Sequence, residues 1–393
     1  MKTKHSHGTI FLLLHSAIVL LISYVIVLYF IPSTKLLSFF SVIEESGDIP
    51  MSDMYMYINF RKGPAKLNTD ITLVSIDSCR DRFEIAKVIE KVDSLHPKAI
   101  GLDVLFKDRK EPEVDAVLEN VIRKCKNLVV ACILDAEHRE DNTKYDVCNR
   151  SFFAEQDNSN ITEGFINLDS DGSSPVRTFT SKLYLQKEKS LDTLYSFDAQ
   201  IVKLCDETVF QKLLQRGVNL EVIHYQPLRF YEIDRSEIDD DPELITDKIV
   251  FIGSLSSLSD SHRTSINSEM LGLEIHAQII STIFEEKYIN SLDNVWTRLM
   301  NVLFCYLFTL FCWVAMTKIK EGVELLIKVA QIAILFIAFF AGYYLFNHYN
   351  IDIAYAQTIV VMGIVILIID IYHVGISFGS KYILKHKKIN QNE

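Results

Sequence analysis

Acidic residues follow several predicted strands and are the residues best placed to do chemistry. Asp77 ends the run ITLVSID, Asp103 lies in the run KAIGLDVLF, and Asp260 comes shortly after the run KIVFIG. The carboxyl ends of parallel strands meet at one edge of a sheet, where α/β proteins bind ligands. We expect Asp77 and Asp103 to be neighbours on adjacent strands, where they would share a proton, bind a cation or pair with Arg82. An Asp at a strand end alternatively caps a helix or forms a turn.

Three further groups would complete such a site. Arg177 follows an Asp-Gly turn and would supply a positive charge, while the turn at Gly253 and Ser254 would offer backbone N–H groups to an anion. His276 lies near the start of a predicted helix, where it either contacts a ligand or metal ion, or packs in the core or makes a structural hydrogen bond. His262 and His276 do not have the spacing of metal ligands, and no metal site is predicted.

The region between residues 32 and 294 contains no familiar catalytic pattern. It lacks the GxSxG, Walker and HExxH motifs and any Cys/His nucleophile arrangement. We therefore predict no catalytic residue, no cofactor and no enzymatic activity; a hydrolase built on the acidic pair is the remaining enzymatic alternative. The chain carries 40 Lys and Arg against 51 Asp and Glu, a net charge of −11, with the acidic excess in this region. Such a surface repels nucleic acid, so no nucleic-acid partner is expected.

The candidate residues need strands and helices to position them, and the sequence predicts an α/β domain. β-branched runs alternate with amphipathic segments, a pattern typical of a largely parallel sheet with right-handed crossovers. Predicted strands cover Ile71–Asp77, Lys98–Phe106, Asn127–Leu134 and Lys248–Gly253, and predicted helices cover Arg82–Leu95, Val114–Cys125, Leu191–Cys205 and Leu271–Glu286. The polar segment 135–160 is predicted to be a surface loop, and two further strands are predicted around a turn at Asp171 and Gly172.

Four apolar segments are long enough to cross a membrane as helices. They cover residues 9–31, 295–316, 323–346 and 353–378. The first is predicted to be an uncleaved anchor rather than a signal peptide, because it is long and no small-x-small cleavage site follows it. Lysines at residues 2–4, 318–320 and 381–388 place the tail 1–8 and the basic tail 379–393 in the cytoplasm. Residues 32–294 then form the extracytoplasmic domain of a multi-pass cell-membrane protein, in the inner membrane if the cell is Gram-negative.

Two charged residues lie inside the predicted spans. Lys328 is 19 residues before Asn347 and Asp370 is 18 residues after Asp352, so each lies about 27 to 29 Å from the same external turn. If the two spans pack antiparallel, the charges lie at one depth and form an intramembrane pair. In the alternative interpretation both side chains extend to the cytoplasmic interface.

The order of several short motifs resembles a known extracellular sensory module, the CHASE domain, type 2. The motifs are IDS, Arg82 with Ala86, PKAIGLDVLF, Asp115 with Leu118, VVAC, DGSSPVR, KIVFIGS, Asp260 and LGLEIHAQII. The resemblance covers roughly residues 64–286, and the arrangement of one span before the module and three after it is also similar. The chain departs from the family at SCRD before Arg82 and at Thr264-Ser265, and each departure would alter a ligand contact.

The resemblance implies a sensor, and we expect the domain to bind an unknown small molecule or ion. The expected ligand-binding residues are Asp77, Arg82, Asp103, Arg177, Gly253, Ser254, Asp260 and His276. Members of the family commonly continue into a cyclase or kinase, whereas about fifteen residues follow the last span here, too few for a folded domain. We therefore expect the signal to pass through the transmembrane helices to a separate output protein. The alternative is a non-signalling scaffold or accessory subunit of an envelope protein complex, and a homodimer is a further candidate assembly.

Overall fold

The computed structural model describes residues 2–30, 51–135, 139–141, 144–145, 148–154, 161–168, 175–186, 191–256, 260–318 and 324–389. The chain divides into two compact units. The α/β unit consists of Met56–Ile289, and the membrane unit consists of Met1–Tyr55 together with Asn290–Glu393. Each unit is described by itself.

The described elements are as follows. The helices are α1 (Lys2–Val25, followed by a π-helical turn at Ile26–Phe30), α2 (Met51–Arg61), α3 (Arg82–Ser94), α4 (Pro112–Lys124), α5 (Phe197–Cys205), α6 (Glu207–Gln215), α7 (Gly272–Phe284), α8 (Val295–Lys318), α9 (Glu324–Tyr349) and α10 (Ala356–Ile389). The strands are β1 (Lys66–Ser75), β2 (Ala99–Leu102), β3 (Leu128–Leu134), β4 (Arg139–Asp141), β5 (Lys144–Tyr145), β6 (Cys148–Asn149), β7 (Thr162–Phe165), β8 (Thr178–Phe179), β9 (Lys182–Gln186), β10 (Leu191–Tyr195), β11 (Glu221–Val222), β12 (Leu228–Asp234), β13 (Ile249–Gly253), β14 (Ser261–His262), β15 (Met270–Leu271), β16 (Asn290–Ser291) and β17 (Ile351–Asp352).

The central sheet of the α/β unit is mostly parallel, which confirms the predicted fold class. Its strands follow the order β12, β1, β13, β2, β3, and the far edge of β3 pairs with β7 in parallel and with β6 antiparallel. Strand β13 comes late in the chain but lies between β1 and β2, with Ile249 paired to both Ile71 and Ala99. The prediction that Asp77 and Asp103 end adjacent strands is therefore wrong, because β13 separates them.

Helices cover both faces of this sheet. In β2, Ile100 and Leu102 belong to a buried cluster that also contains Ile89 of α3 and residues of α4. Gly101 faces the other way, because a methyl group there would lie 2.8 Å from Phe197 of α5. Successive side chains of a strand point to opposite faces. Helices α3 and α4 therefore cover one face, and α5 covers the other.

Two local predictions differ from the structure. The helix predicted over Leu191–Cys205 is a strand at first, because β10 pairs antiparallel with β9. Helix α5 begins only after Ser196, whose side chain caps its first turn. The segment 135–160, predicted as a loop, contains the short strands β4, β5 and β6. The predicted turn at Asp171 and Gly172 lies outside the described residues.

The membrane unit contains apolar helices of spanning length. Within the described residues, four helices are long and apolar enough to cross a membrane, at Ile10–Leu28, Val295–Met316, Leu325–Tyr349 and Ala356–Phe378. Helices α1, α8 and α10 share a buried apolar cluster. Strand β16 pairs with β17 in parallel. The hydroxyl group of Tyr55, in α2, lies 2.5 Å from the hydroxyl group of Tyr355, just before α10.

Candidate functional site

Asp103 lies at the carboxyl end of β2, on the face of the sheet that α5 covers. It follows Gly101 by two residues, so both point to the same face. Its backbone N–H donates to the carbonyl oxygen of Ile252 at 2.9 Å. A methyl group on Gly253, at the end of β13, would lie 2.6 Å from Leu273 Cδ1 and 3.5 Å from Asp103 Cβ. Gly253 therefore allows α7 to pack closely beside Asp103.

His276 of α7 and Asp198 of α5 form a buried pair on this face. Their side chains are 3% and 4% exposed, and His276 Nδ1 lies 3.0 Å from each carboxylate oxygen of Asp198. Phe197 packs against the His276 ring with the ring centroids 5.3 Å apart. A methyl group on Gly164 of β7 would lie only 2.5 Å from Phe197 Cα. Gly164 therefore lets the start of α5 approach the sheet and brings Asp198 to His276.

Asp260 and His262 come from the loop before α7. His262 Nε2 lies 3.4 Å from Asp260 Oδ1. A methyl group on Gly272, the first residue of α7, would lie 2.7 Å from Asp260 Oδ2. The Asp260 carboxylate thus sits directly against the start of α7, where the helix dipole favours a negative charge.

The five side chains form one electrostatic group, which we call the Asp103–His276 cluster: Asp103, Asp198, Asp260, His262 and His276. Loss of hydration raises the pKa of Asp103 to about 6, opposed by His276 and reinforced by Asp260 and Asp198. Burial by itself would lower the pKa of His276, but Asp198, Asp103 and Asp260 raise it to about 9. At neutral pH His276 is therefore an imidazolium, and the cluster around it holds three Asp side chains against two His side chains, a composition that favours cations. Among the described residues, no three His, Cys, Asp or Glu side chains are arranged to ligate one metal ion.

Asp77 lies on the other side of β13 and stabilises the turn after that strand. Ser254 Oγ donates to Asp77 Oδ1 at 2.6 Å, and the Leu255 backbone N–H donates to Oδ2 at 2.9 Å. Burial opposes ionisation of Asp77, but these bonds and others from Ser75 and Ser256 lower its pKa. The carboxylate of Asp77 is thus the anion that the turn after Gly253 holds in this structure.

Arg82 is not a partner of Asp77 or Asp103. Its Nη1 donates to Asp115 Oδ1 at 2.6 Å, and its Nη2 donates to the carbonyl oxygen of Asp108 at 2.6 Å. Asp115 is 1% exposed, so its charge is matched inside the protein rather than by solvent. The alternative in which Arg82 pairs with these carboxylates is therefore wrong: Arg82 begins α3 on the opposite face of the sheet, where it joins α3 to α4.

Arg177 lies in a segment that pairs with the end of the site loop. Val176 forms a parallel bridge with Thr264, two residues after His262, and its backbone N–H donates to the carbonyl oxygen of Arg263 at 2.8 Å. The Arg177 carbonyl oxygen accepts a bond from Ile223 at 2.9 Å. The backbone of Arg177 is therefore attached to the loop that carries Asp260 and His262.

The membrane unit brings Lys328 and Asp370 together. Lys328 Nζ lies 3.2 Å from Asp370 Oδ2, and the two side chains are 44% and 41% exposed. Nearby on α10, the hydroxyl of Tyr372 lies 2.7 Å from His15 Nδ1, and His373 stacks on Trp313 with ring centroids 4.5 Å apart. These contacts therefore connect α1, α8, α9 and α10 within the helices that are long and apolar enough to span a membrane.

The geometry described so far can be compared with known protein families. The family model described as the CHASE2 domain matches residues 25–317, well over half of the chain. The protein belongs to the CHASE2 domain family. CHASE2 is a family of extracellular sensory domains. No curated protein and no solved structure matches the chain significantly.

Two residues of the Asp103–His276 cluster, Asp198 and His262, are not among the site residues predicted from the sequence. Asp198 lies in a segment predicted only as a helix, and no local pattern links it to His276. One feature of the sequence could have identified Asp198: it is an acidic residue in the first turn of the mainly apolar helix FDAQIVKLC. Asp198 does not cap this helix, because Ser196 is the N-cap. The spacing of His262 in the sequence does not indicate a metal ligand, and in the structure its contact is with Asp260, two residues earlier. Of the predicted residues, the CHASE2 fold brings together Asp103, Asp260 and His276.

Proposed function

We propose that this CHASE2 protein is a membrane-anchored extracytoplasmic sensor whose Asp103–His276 cluster binds a cation or a basic small molecule. The observation that carries the proposal is the position of the cluster at the carboxyl ends of β2 and β13. Asp260 touches the first residue of α7, and His276 belongs to that helix. A bound cation would change the balance of charge around α7, which is a differential interaction of the kind a switch requires.

The signal would leave the α/β unit along the chain. Helix α7 ends at Phe284, and α8 begins at Val295, so about ten residues connect the cluster-bearing helix to a spanning helix. We propose that the transmembrane helices pass the change to a separate output protein and that the chain itself catalyses no reaction.

The proposed topology has both termini in the cytoplasm and the α/β unit outside. It is supported by the lysines that flank the spanning helices on one side. A cysteine introduced at the exposed Glu243 should be labelled from outside by a membrane-impermeant maleimide, whereas one at Ser380 should require permeabilisation. Labelling of the Ser380 variant in intact cells beyond that of the parent protein, whose native cysteines also react, would overturn the topology.

The ligand proposal is tested on the full-length protein in detergent. Its melting temperature is measured with a panel of inorganic cations and small amines, each at several concentrations. We expect at least one of these probes to raise the melting temperature in a saturable way, because a ligand that binds only the folded state stabilises it.

Three variants show where such a ligand binds. Asp103→Asn and His276→Gln should abolish the ligand-dependent rise, while Asp239→Asn, whose side chain is 73% exposed, should retain it. A rise that survives both cluster variants would place the ligand elsewhere. If no probe raises the melting temperature and a partner co-purifies stably without added ligand, the protein is instead a scaffold of an envelope complex.

A further inference from the structure

Two cysteines lie side by side at the edge of the central sheet, away from the Asp103–His276 cluster. Cys132 is in β3 and Cys148 is in β6, and the two strands pair antiparallel with Leu134 opposite Cys148. Residues two apart in a strand share a face, so Cys132, Leu134 and Cys148 lie on the same face. The two thiols are free and hydrogen-bond to each other.

The thiol pair borders a cavity of about 510 Å³. Arg150 and Glu163 line the same cavity, and Arg150 Nε donates to Glu163 Oε2 at 2.6 Å. Cys132 is 1% exposed, whereas Cys148 is only partly buried. A small molecule that enters the cavity therefore meets Cys148 first, with Cys132 directly behind it.

The electrostatic environment gives the two sulfurs different roles. The hydrogen bond from Cys132 lowers the pKa of Cys148, and the same bond together with burial raises the pKa of Cys132. Thiol–disulfide exchange begins with attack by the thiolate of the more acidic, more accessible thiol. Cys148 is thus suited to be the attacking thiol and Cys132 the resolving thiol.

The other described cysteines of the α/β unit lack a neighbouring thiol. Cys125 donates to Asp93 Oδ1 at 3.1 Å, and burial raises its pKa. Burial also raises the pKa of Cys205 to about 12 and the pKa of Cys79, which lies beside Arg235. These three thiols have no partner sulfur among the described residues, which makes them internal controls for the pair.

We propose that Cys132 and Cys148 are a redox modification site that forms a reversible disulfide with a small-molecule disulfide as the oxidant. The proposal goes beyond ligand sensing and rests on the proposed extracytoplasmic location of the α/β unit, because disulfides persist outside the cytoplasm. Cys148 attacks one sulfur of the oxidant, which gives a mixed disulfide and releases one thiolate. Cys132 then attacks Cys148 Sγ and releases the second thiolate. The two thiolates take up the two protons lost by the cysteines, so the oxidant is reduced by two electrons as the protein disulfide forms.

The bond would tie a two-residue edge strand to the sheet. Its formation requires the sulfurs to approach from hydrogen-bond contact to about 2.05 Å. Only β6 needs to move, because β3 is held on its other edge by β2. The oxidised protein should therefore keep its fold while the edge next to Arg150 and Glu163 becomes covalently fixed.

The experiment uses the full chain in detergent, equilibrated with defined mixtures of oxidised and reduced glutathione. Free thiols are trapped with N-ethylmaleimide, and tryptic peptides are identified by mass spectrometry. Trypsin gives the peptides 127–139 and 145–150, each with one of the two cysteines. We expect the two peptides to appear linked, two hydrogens lighter than their sum, in oxidising mixtures and to separate after dithiothreitol treatment.

The variants are Cys132→Ser, Cys148→Ser and the matched control Cys125→Ser. The control should form the same linked peptide, whereas Cys132→Ser should leave Cys148 as a mixed disulfide with glutathione. Alkylation of both wild-type peptides throughout the oxidising mixtures would overturn the proposal, and this measurement needs no variant to fold. The cation-dependent rise in melting temperature is a separate readout, so failure of the disulfide and failure of the sensor are distinguished.

Discussion

At the scale of the residue, His276 and Asp198 form a buried ion pair in the α/β unit. The pair is almost completely buried, and each charge is compensated by the other at 3.0 Å. A buried charge without its partner is costly, since solvent cannot replace the lost interaction. The pair therefore gives the folded state a dependence on pH that a surface pair would not give.

The first prediction concerns the pH dependence of stability. The pKa of His276 is about 9 in the folded protein and 6.5 without the fold, so its contribution is fully present below pH 6.5 and is lost as pH rises through 9. We expect the melting temperature of the full-length protein to fall between pH 6.5 and 9, with a loss of about 3 kcal/mol. Asp103 does not contribute to this slope, because its pKa of about 6 lies below the window.

The matched variants for this prediction are Asp198→Asn and the exposed Asp239→Asn. Asp198→Asn should flatten the slope and destabilise the protein by about 3 to 5 kcal/mol at pH 6. Asp239→Asn should leave both the slope and the stability unchanged. An unchanged slope in Asp198→Asn would mean that the buried pair does not control His276.

Only part of the candidate site could be predicted from the sequence. Asp103 and Asp260 could be predicted as site residues because each follows a recognisable strand. His276 could be predicted because it lies in a helix with a clear apolar face. The prediction that Asp77 is a neighbour of Asp103 was wrong for a topological reason, since no local pattern reveals that β13 lies in the sheet between β1 and β2. Asp198 was missed because its role depends on a contact 78 residues along the chain.

At the scale of the element, close approach of helices to the sheet positions the site. Helix α5 meets β7 at Gly164, and α7 meets β13 at Gly253. At Gly164 backbone atoms of Ser196 and Phe197 leave no room for a methyl group, whereas at Gly253 the nearest atom is the movable end of the Leu273 side chain. The glycines thus act through packing, and the acidic and histidine side chains depend on them for their positions.

The second prediction is that Gly164→Ala disturbs the contact between Asp198 and His276, although Gly164 itself is not part of the Asp103–His276 cluster. The new Cβ would lie 2.5 Å from Phe197 Cα and 2.7 Å from its backbone nitrogen, so the start of α5 must shift. We expect a loss of about 1 to 3 kcal/mol in thermal stability and a flatter pH slope, because Asp198 moves with α5. Gly63→Ala, where nothing lies within 4 Å of the new Cβ, is the control. Equal melting temperatures for the two variants would contradict the packing role of Gly164.

At the scale of the whole molecule, the α/β unit is inserted between the two segments of the membrane unit. The chain passes between the units twice, at Tyr55–Met56 and at Ile289–Asn290. A signal carried by the chain must use one of these two links. The link after α7 directly follows the helix that bears His276, whereas the link at residue 55 lies within α2 and far in sequence from the cluster. This favours α7 and α8 as the outgoing route in the proposed sensor.

The last prediction concerns the register of the spanning helices. Lys328 of α9 and Asp370 of α10 lie 3.2 Å apart, and an unpaired charge in a bilayer is unfavourable. We expect Asp370→Leu to lower stability in detergent or lipid by about 2 kcal/mol, because Lys328 is left without its partner. Adding Lys328→Leu should restore part of this loss, since the double variant contains neither charge. The measurement is the melting temperature of the two single variants and the double variant, with the exposed Ser377→Leu as a polar-to-apolar control on α10. If the two charges instead extend independently to the cytoplasmic interface, the effects of the single variants will add and the double variant will show no rescue.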